Sequence, residues 1–197
     1  MKRCSIIFHS VCGNCFIIAS AFKDALEAEG LDARLYRVED ADHHIWANQL
    51  EIANDYYEDI LSLPIANSET LLKSDLIVLG SPTYFANVSA EMKQFMDSSS
   101  IYFDDGLLSG KYFACFTSCS LIEGGGTLCL QSMIHYAQHM GLNHIPLGRQ
   151  VNHIDDKQPV SGILHCSGKQ SSIRPSNKLG KVLSFYAKLL ADPVKNQ

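Results

Sequence analysis

Apolar positions recur along this chain at two periods, and the alternation between the two predicts its fold class. Residues 4–8 form a short apolar run, residues 76–80 a continuous one, and residues 33–38 and 112–117 read as further strands. Residues 142–147 complete a set of five strand candidates. Between them the spacing lengthens to a helical one. Ile18, Phe22, Ala25 and Leu26 follow Gly13 on one face; Val88, Met92, Phe95 and Met96 make a second stripe; Leu130, Met133, Ile134 and Ala137 make a third, ending at Gly141. Glu29-Gly30 closes the first of these helices with a glycine suited to the left-handed closing position. Leu179, Val182, Leu183, Tyr186 and Leu190 share a face of a terminal helix, with Ser176 directly after Pro175 as its expected N-cap.

Strands alternating with helices predict an α/β fold, a doubly wound parallel sheet with helices on both faces. No repeat, low-complexity tract or composition shift divides the chain, so residues 1–197 are expected to form a single domain. Residues 42–63 are a polar and aromatic excursion with helical character. Residues 148–175 make a connection long enough to suggest a functional loop.

Composition narrows the function class. A hydrophobic content of 46% over 197 residues supports a sizeable core. The net charge of −5 is mild, and Lys and Arg are scattered without a basic stripe, so no nucleic-acid partner is expected. No apolar run approaches the roughly 18 residues that span a bilayer, so no membrane insertion is expected. The apolar stretch after Met1-Lys2-Arg3 is too short for a signal-peptide core and reads as a first strand. Seven cysteines without a regular framework suit reduced thiols and a cytoplasmic location.

In an open parallel sheet the ligand sits at the carboxyl ends of the strands, around the point where strand order reverses. Three loops at that edge have unusual compositions. After strand one comes Ser10-Val11-Cys12-Gly13-Asn14-Cys15, just ahead of a helix. There, small residues let backbone N–H groups approach an anion and the helix start favours negative charge. That reads as a phosphate cradle; taken alone, an ordinary strand-to-helix turn explains it equally well. After strand three, Gly80-Ser81-Pro82-Thr83-Tyr84-Phe85-Ala86-Asn87 presents two aromatics suited to a flat ring system. After strand four, Thr117-Ser118-Cys119-Ser120 leads to Gly124-Gly125-Gly126, a costly run unless the backbone needs its freedom.

These stretches, with Phe8-His9 before the first loop, His139-Met140-Gly141 and Arg174-Pro175-Ser176, resemble the flavodoxin superfamily. Within it they are similar to the tryptophan-repressor-binding-protein group of NAD(P)H:quinone oxidoreductases and NADPH-dependent FMN reductases. The resemblance spans nearly the whole chain and is poorest over residues 40–70. It implies a five-stranded sheet in the order 2-1-3-4-5 and FMN as cofactor, with NAD(P)H as cosubstrate. The FMN phosphate would lie on Ser10, Val11, Cys12, Gly13, Asn14 and Cys15. The ring would lie between Pro82, Thr83, Tyr84, Phe85 and Asn87 on one side and Thr117, Ser118, Cys119, Ser120 and Gly124 on the other. It further implies a histidine near the flavin at His139, an aromatic substrate wall near Tyr102 or Phe103, and a homodimer or homotetramer.

The chain departs from the family in three places. Hydroxyl residues usually occupy the phosphate-loop positions held here by Cys12 and Cys15, and a thiol is a poorer donor. A basic residue usually stands where Tyr84 is. Cys119 and Leu121-Ile122-Glu123 make the third loop less typical. Cys12 and Cys15 also form a Cys-x-x-Cys at a helix start, where dithiol chemistry competes with a plain phosphate-loop role. Cys4 and Cys115 fall in strands as core thiols; Cys129 and Cys166 carry no interpretable spacing. His135 and His139 are a helical turn apart, but Tyr136 stands where a zinc-protease glutamate would be, and no metal is expected. His43, His44 and Trp46 suggest a surface or subunit contact.

No nucleophile elbow, Walker motif or Gly-x-Gly-x-x-Gly is present. The expected activity is NAD(P)H-dependent two-electron reduction of a quinone or similar acceptor through FMN, with no side chain assigned as catalytic. Two alternatives remain at this stage. One is an electron-transfer flavodoxin, the other a flavodoxin-fold binding or regulatory protein that has lost FMN.

Overall fold

The computed structural model describes residues 1–149 and 157–197. A parallel sheet runs through its centre in the order β2-β1-β3-β4-β5, with β6 also pairing β4. The strands are β1 (Arg3–Phe8), β2 (Asp32–Arg37), β3 (Leu76–Pro82), β4 (Tyr112–Cys119), β5 (Asn143–His144) and β6 (Ile163–Cys166). Order reverses between β1 and β3, so the loops that follow these two strands diverge and leave a crevice between them.

Alternation along each strand sends neighbouring side chains to opposite faces. Ile6, Phe8, Val78 and Phe116 pack against α1 (Asn14–Ala28) and α8 (Asn177–Lys195). Ile7, Ile77, Leu79 and Phe113 pack against α6 (Ala90–Ser98) and α7 (Gly126–His139). Both faces are thereby dry, which is why the central strands read as unbroken apolar runs.

The fifth strand departs from expectation. Only Asn143 and His144 pair with β4, at Tyr112 and Phe113. The other half of β4, Phe116 to Cys119, pairs instead with Ile163 to Cys166. One strand position is thus filled by two short segments, so part of the expected long loop is sheet. Residues 150–156 of that connection lie outside the described residues. A four-residue strand has too few alternations to announce itself in a sequence.

Residues 42–63 contain three short helices, α2 (His43–Gln49), α3 (Glu51–Asn54) and α4 (Tyr57–Ser62), and α5 (Ser68–Leu72) leads into β3. Ser176 does stand at the N-cap of α8, but its hydroxyl makes no capping bond; its carbonyl accepts from Gly180. Ser89, by contrast, caps α6 through the Met92 amide at 3.2 Å.

Candidate active site at the carboxyl edge of the sheet

The loop after β1 turns at Gly13, whose φ of +85° is a left-handed conformation that glycine adopts without strain. A side chain there would also collide with the Tyr56 ring, 2.4 Å from where a Cβ would sit. The Ser10 hydroxyl accepts from the Phe16 amide at 3.3 Å and so satisfies one of the free donors at the start of α1. Among the described residues, no hydrogen bond engages the backbone amides of Val11, Cys12, Gly13, Asn14 or Cys15. Unpaired amides at a helix N-terminus form an anion site of the kind a nucleotide phosphate occupies.

Of these residues, Val11, Cys12, Asn14 and Cys15 border a cavity of about 50 Å³. Ser10, Val11, Cys12, Asn14 and Cys15 line one side; Pro82, Thr83, Tyr84, Ser118 and Ser120 line the other. A water molecule's share of liquid is about 30 Å³, so the space suits a small tetrahedral oxyanion. Ser167 and Ser171 complete the wall. They come from the stretch after β6 and were not among the residues singled out by sequence; the only signal was a run of small polar residues in a long connection. The Ser171 carbonyl accepts from Asn14 Nδ2 at 2.9 Å. Gln170 and Ser171 are both held at left-handed φ, 58° and 57°, a strain that non-glycine residues keep only where their surroundings impose it.

Arg174 locks this arrangement. Its guanidinium donates to the Cys12 carbonyl, to Asn14 Oδ1 at 3.3 Å and to Asp55 Oδ2 at 2.7 Å, and lies over the Tyr56 ring at 5.3 Å. The excursion over residues 42–63 is thus pinned onto the phosphate-loop candidate from outside. A groove of about 600 Å³ opens beside it, between residues 49–55 and residues 170–172, within the range of small-molecule sites.

The loop after β3 is a two-residue reversal. Tyr84 and Asn87 exchange backbone bonds of 2.9 and 3.0 Å, with Phe85 and Ala86 at φ of 49° and 63°. This is the geometry of a type I′ turn, ordinarily built from Asn or Gly. It throws the Phe85 ring wholly into solvent, at 105% relative exposure, beside Tyr84 at 44%. The Thr83 amide donates to the Ser118 carbonyl at 2.8 Å, joining this loop to the one after β4. The Thr117 hydroxyl reaches the Ser81 carbonyl at 2.7 Å and the Thr83 hydroxyl at 2.8 Å. A carbonyl only accepts, so Thr117 donates to Ser81 and receives from Thr83.

Several residues singled out by sequence stand away from the cavity. Thr117 is fully buried, and Cys119 turns inward with its thiol 3.1 Å from the Leu121 carbonyl. Phe85, Asn87 and Gly124 are exposed at the rim, and Gly13 lies beneath Tyr56. His139 is not brought to the cavity within this chain. It is exposed in the last turn of α7, and that helix runs back across the sheet, about 20 Å over its length at 1.5 Å per residue.

The titratable lining is neutral near pH 7. Burial pushes the Cys12 thiol up, against the Ser171 hydroxyl and the Arg174 charge, and pushes the buried Cys15 thiol up further. Burial, and then the neighbouring Cys12, Cys15, Glu91 and Asp40, raise the Tyr84 phenol. No thiolate at this site therefore repels an anion. All seven cysteines are unpaired, and among the described residues no helix is long and apolar enough to cross a membrane.

Residues 7–154 match the family described as NADPH-dependent FMN reductase. The chain is 36% identical over 137 residues to an NAD(P)H dehydrogenase (quinone) of Archaeoglobus fulgidus, covering 68% of this chain and 70% of that protein. It is 32% identical over 150 residues to protoplast secreted protein 2 of Saccharomyces cerevisiae, covering 75% and 72%. Among solved structures it is similar to a flavodoxin, WrbA-like protein of Agrobacterium tumefaciens. That match has a TM-score of 0.67 and 18% identity, over 100% of this chain and 99% of the other.

Proposed function

The chain belongs to the NADPH-dependent FMN reductase family, and on that premise we propose that it reduces quinones or similar two-electron acceptors at the expense of NAD(P)H. It is a flavin-dependent oxidoreductase of flavodoxin-like fold. In this reading the whole chain serves as one FMN-binding domain. The amides of residues 11–15 and the Ser10 hydroxyl hold the phosphate, with the start of α1 supplying favourable charge. Thr83, Tyr84 and Phe85 flank the ring from one loop, and Ser118, Ser120 and Gly124 from the other.

Bound there, FMN would supply the redox chemistry, a two-electron exchange between a reduced nicotinamide and an acceptor. The protein's own part is to hold, orient and shield. The hydrogen bonds among Ser81, Thr83, Thr117 and Ser118 fix the spacing of the two loops that flank the ring. Phe85 and Tyr84 offer aromatic surface at the rim where a flat acceptor docks and water is displaced. The observation that carries the cofactor assignment is the row of unpaired amides in front of α1, facing a cavity rich in hydroxyl groups.

Exposed apolar side chains at Phe85, Ile101, Phe103, Leu121, Ile122 and Leu128 support a homodimer or homotetramer, and the unpaired cysteines support a cytoplasmic location. The experiment is a visible spectrum of freshly purified protein followed by NAD(P)H oxidation with a benzoquinone. Flavin bands and sustained turnover are expected. A colourless protein that stays unbound through an FMN titration would sink the proposal, as would a yellow one that leaves NADH and NADPH untouched.

A further inference from the structure

Three side chains from three separate elements converge beneath the first residue of the phosphate-loop candidate. His9 follows β1, Asp40 follows β2, and Glu91 lies in the first turn of α6. His9 Nε2 is 3.0 Å from Asp40 Oδ2, and His9 Nδ1 is 3.5 Å from Glu91 Oε2. One ligand atom from each residue lies within 4.8 Å of the other two. His9 is 3% exposed, and its Nδ1 has no hydrogen-bond partner among the described residues. A second buried imidazole, His43, also has an unpaired Nε2 and interacts electrostatically with both Asp40 and His9.

A buried ring nitrogen aimed at a carboxylate oxygen 3.5 Å away is too far for a good hydrogen bond. It is, however, the separation of two ligands around one ion: bonds of about 2.0–2.2 Å at tetrahedral angles put neighbouring ligands about 3.4 Å apart. The second carboxylate is already committed to orienting the ring. Asp40 Oδ1 accepts from the Asp42 amide at 3.0 Å, while Oδ2 faces His9 Nε2. An imidazole that gives one nitrogen to a metal and its other N–H to a carboxylate is the usual support for a metal ligand.

We propose that His9, Asp40 and Glu91 form a site for one divalent transition-metal ion, with His9 Nδ1 and Glu91 as ligands and Asp40 orienting the His9 ring. A nitrogen donor with carboxylate oxygens suits Zn²⁺, Co²⁺ or Mn²⁺ better than Ca²⁺ or Mg²⁺, which prefer all-oxygen surroundings. The ion joins the end of β1 to α6 where the chain leaves the sheet for the cradle, since Ser10 directly follows His9 and the His9 amide bonds the Gly80 carbonyl at 2.9 Å. The site is independent of the proposed activity.

The test strips metal from the purified protein with a chelator and titrates it with Zn²⁺ by calorimetry. A parallel titration with Co²⁺ is read at wavelengths beyond the flavin bands. One equivalent should bind, and the unfolding midpoint should rise with it. Glu91→Gln and His9→Gln should each weaken binding about tenfold or more, whereas the cavity-lining Cys12→Ser should not. If His9→Gln fails to fold, Glu91→Gln on the partly exposed side chain still decides. Three results overturn the proposal: no uptake of either ion, affinity unchanged in Glu91→Gln, or a thiolate-to-cobalt absorption that assigns the ion to cysteines. Flavin-free protein should bind the metal equally well, so failure of the FMN assignment leaves this result distinct.

Discussion

Ala86 rests directly on Gly125: a Cβ added to the glycine would lie 2.4 Å from the Ala86 Cβ and 2.7 Å from its Cα. The turn that presents Tyr84 and Phe85 is therefore seated on the loop that opens α7, and the two walls of the crevice touch here.

Gly125→Ala should break that seat. The new methyl meets backbone, and φ at this position is +83°, so both sterics and conformation oppose it. A loss of about 2–3 kcal/mol in unfolding free energy is expected, with weakened FMN binding. Gly180→Ala is the contrast, because nothing lies within 4 Å in the interior of α8. It should stabilise by about 0.5–1 kcal/mol and leave FMN affinity alone. Thermal melts and a flavin-fluorescence titration read both.

Arg174→Ala should loosen the phosphate-loop candidate by freeing the Cys12 carbonyl and Asn14 from Asp55. FMN affinity is expected to fall about tenfold, roughly 1.4 kcal/mol. Arg174→Lys should not restore it, because a single ammonium cannot serve those three acceptors and lie flat on Tyr56 together. Equal affinity in the lysine variant would show that charge alone is what matters there.

Phe85→Gly separates shape from stability. The ring touches solvent only, and φ of 49° suits glycine. Relief of about 1–2 kcal/mol of left-handed strain is offset by about 0.5–1 kcal/mol of chain entropy. The melting midpoint should hold or rise slightly, while kcat/KM for a quinone falls. Unchanged quinone kinetics would remove Phe85 from the acceptor wall.

Acid should destabilise the fold before its carboxylates protonate. Burial depresses the imidazoles of His43 and His144 below their ordinary value of about 6.5. The unfolded chain then binds more protons than the folded one, so this stability is present above pH 6.5 or so and lost as pH falls through it. Melting midpoints should drop between pH 8 and pH 5. His144→Gln, which keeps a donor for the Ser161 carbonyl, should flatten the drop.

Much of the site was legible because three loops of unusual composition each followed a recognisable strand. Ser10, Cys12, Tyr84 and Ser120 all reach one cavity, as a parallel sheet that reverses order after β1 requires. Ser171 and Arg174 were not legible as wall and lock. Their partners are more than a hundred residues away, at Asn14, Cys12 and Asp55, and no local period records such a contact. His139, which only the family resemblance singled out, stands in the last turn of α7, away from the cavity within this chain.

The chain's own periodicity determined the layered α/β fold and the edge of the sheet where chemistry belongs, because burial on two faces writes itself directly into which positions are apolar. Only the tertiary structure decided that the fifth strand position is shared by β5 and β6, that residues 42–63 fold down over Gly13, and that His9 meets Asp40 and Glu91. Those are contacts between groups far apart in the chain, backbone in the first case and side chains in the others, each needing only a suitable partner in space. Such partners are set by how the elements pack, which single positions in a sequence do not encode.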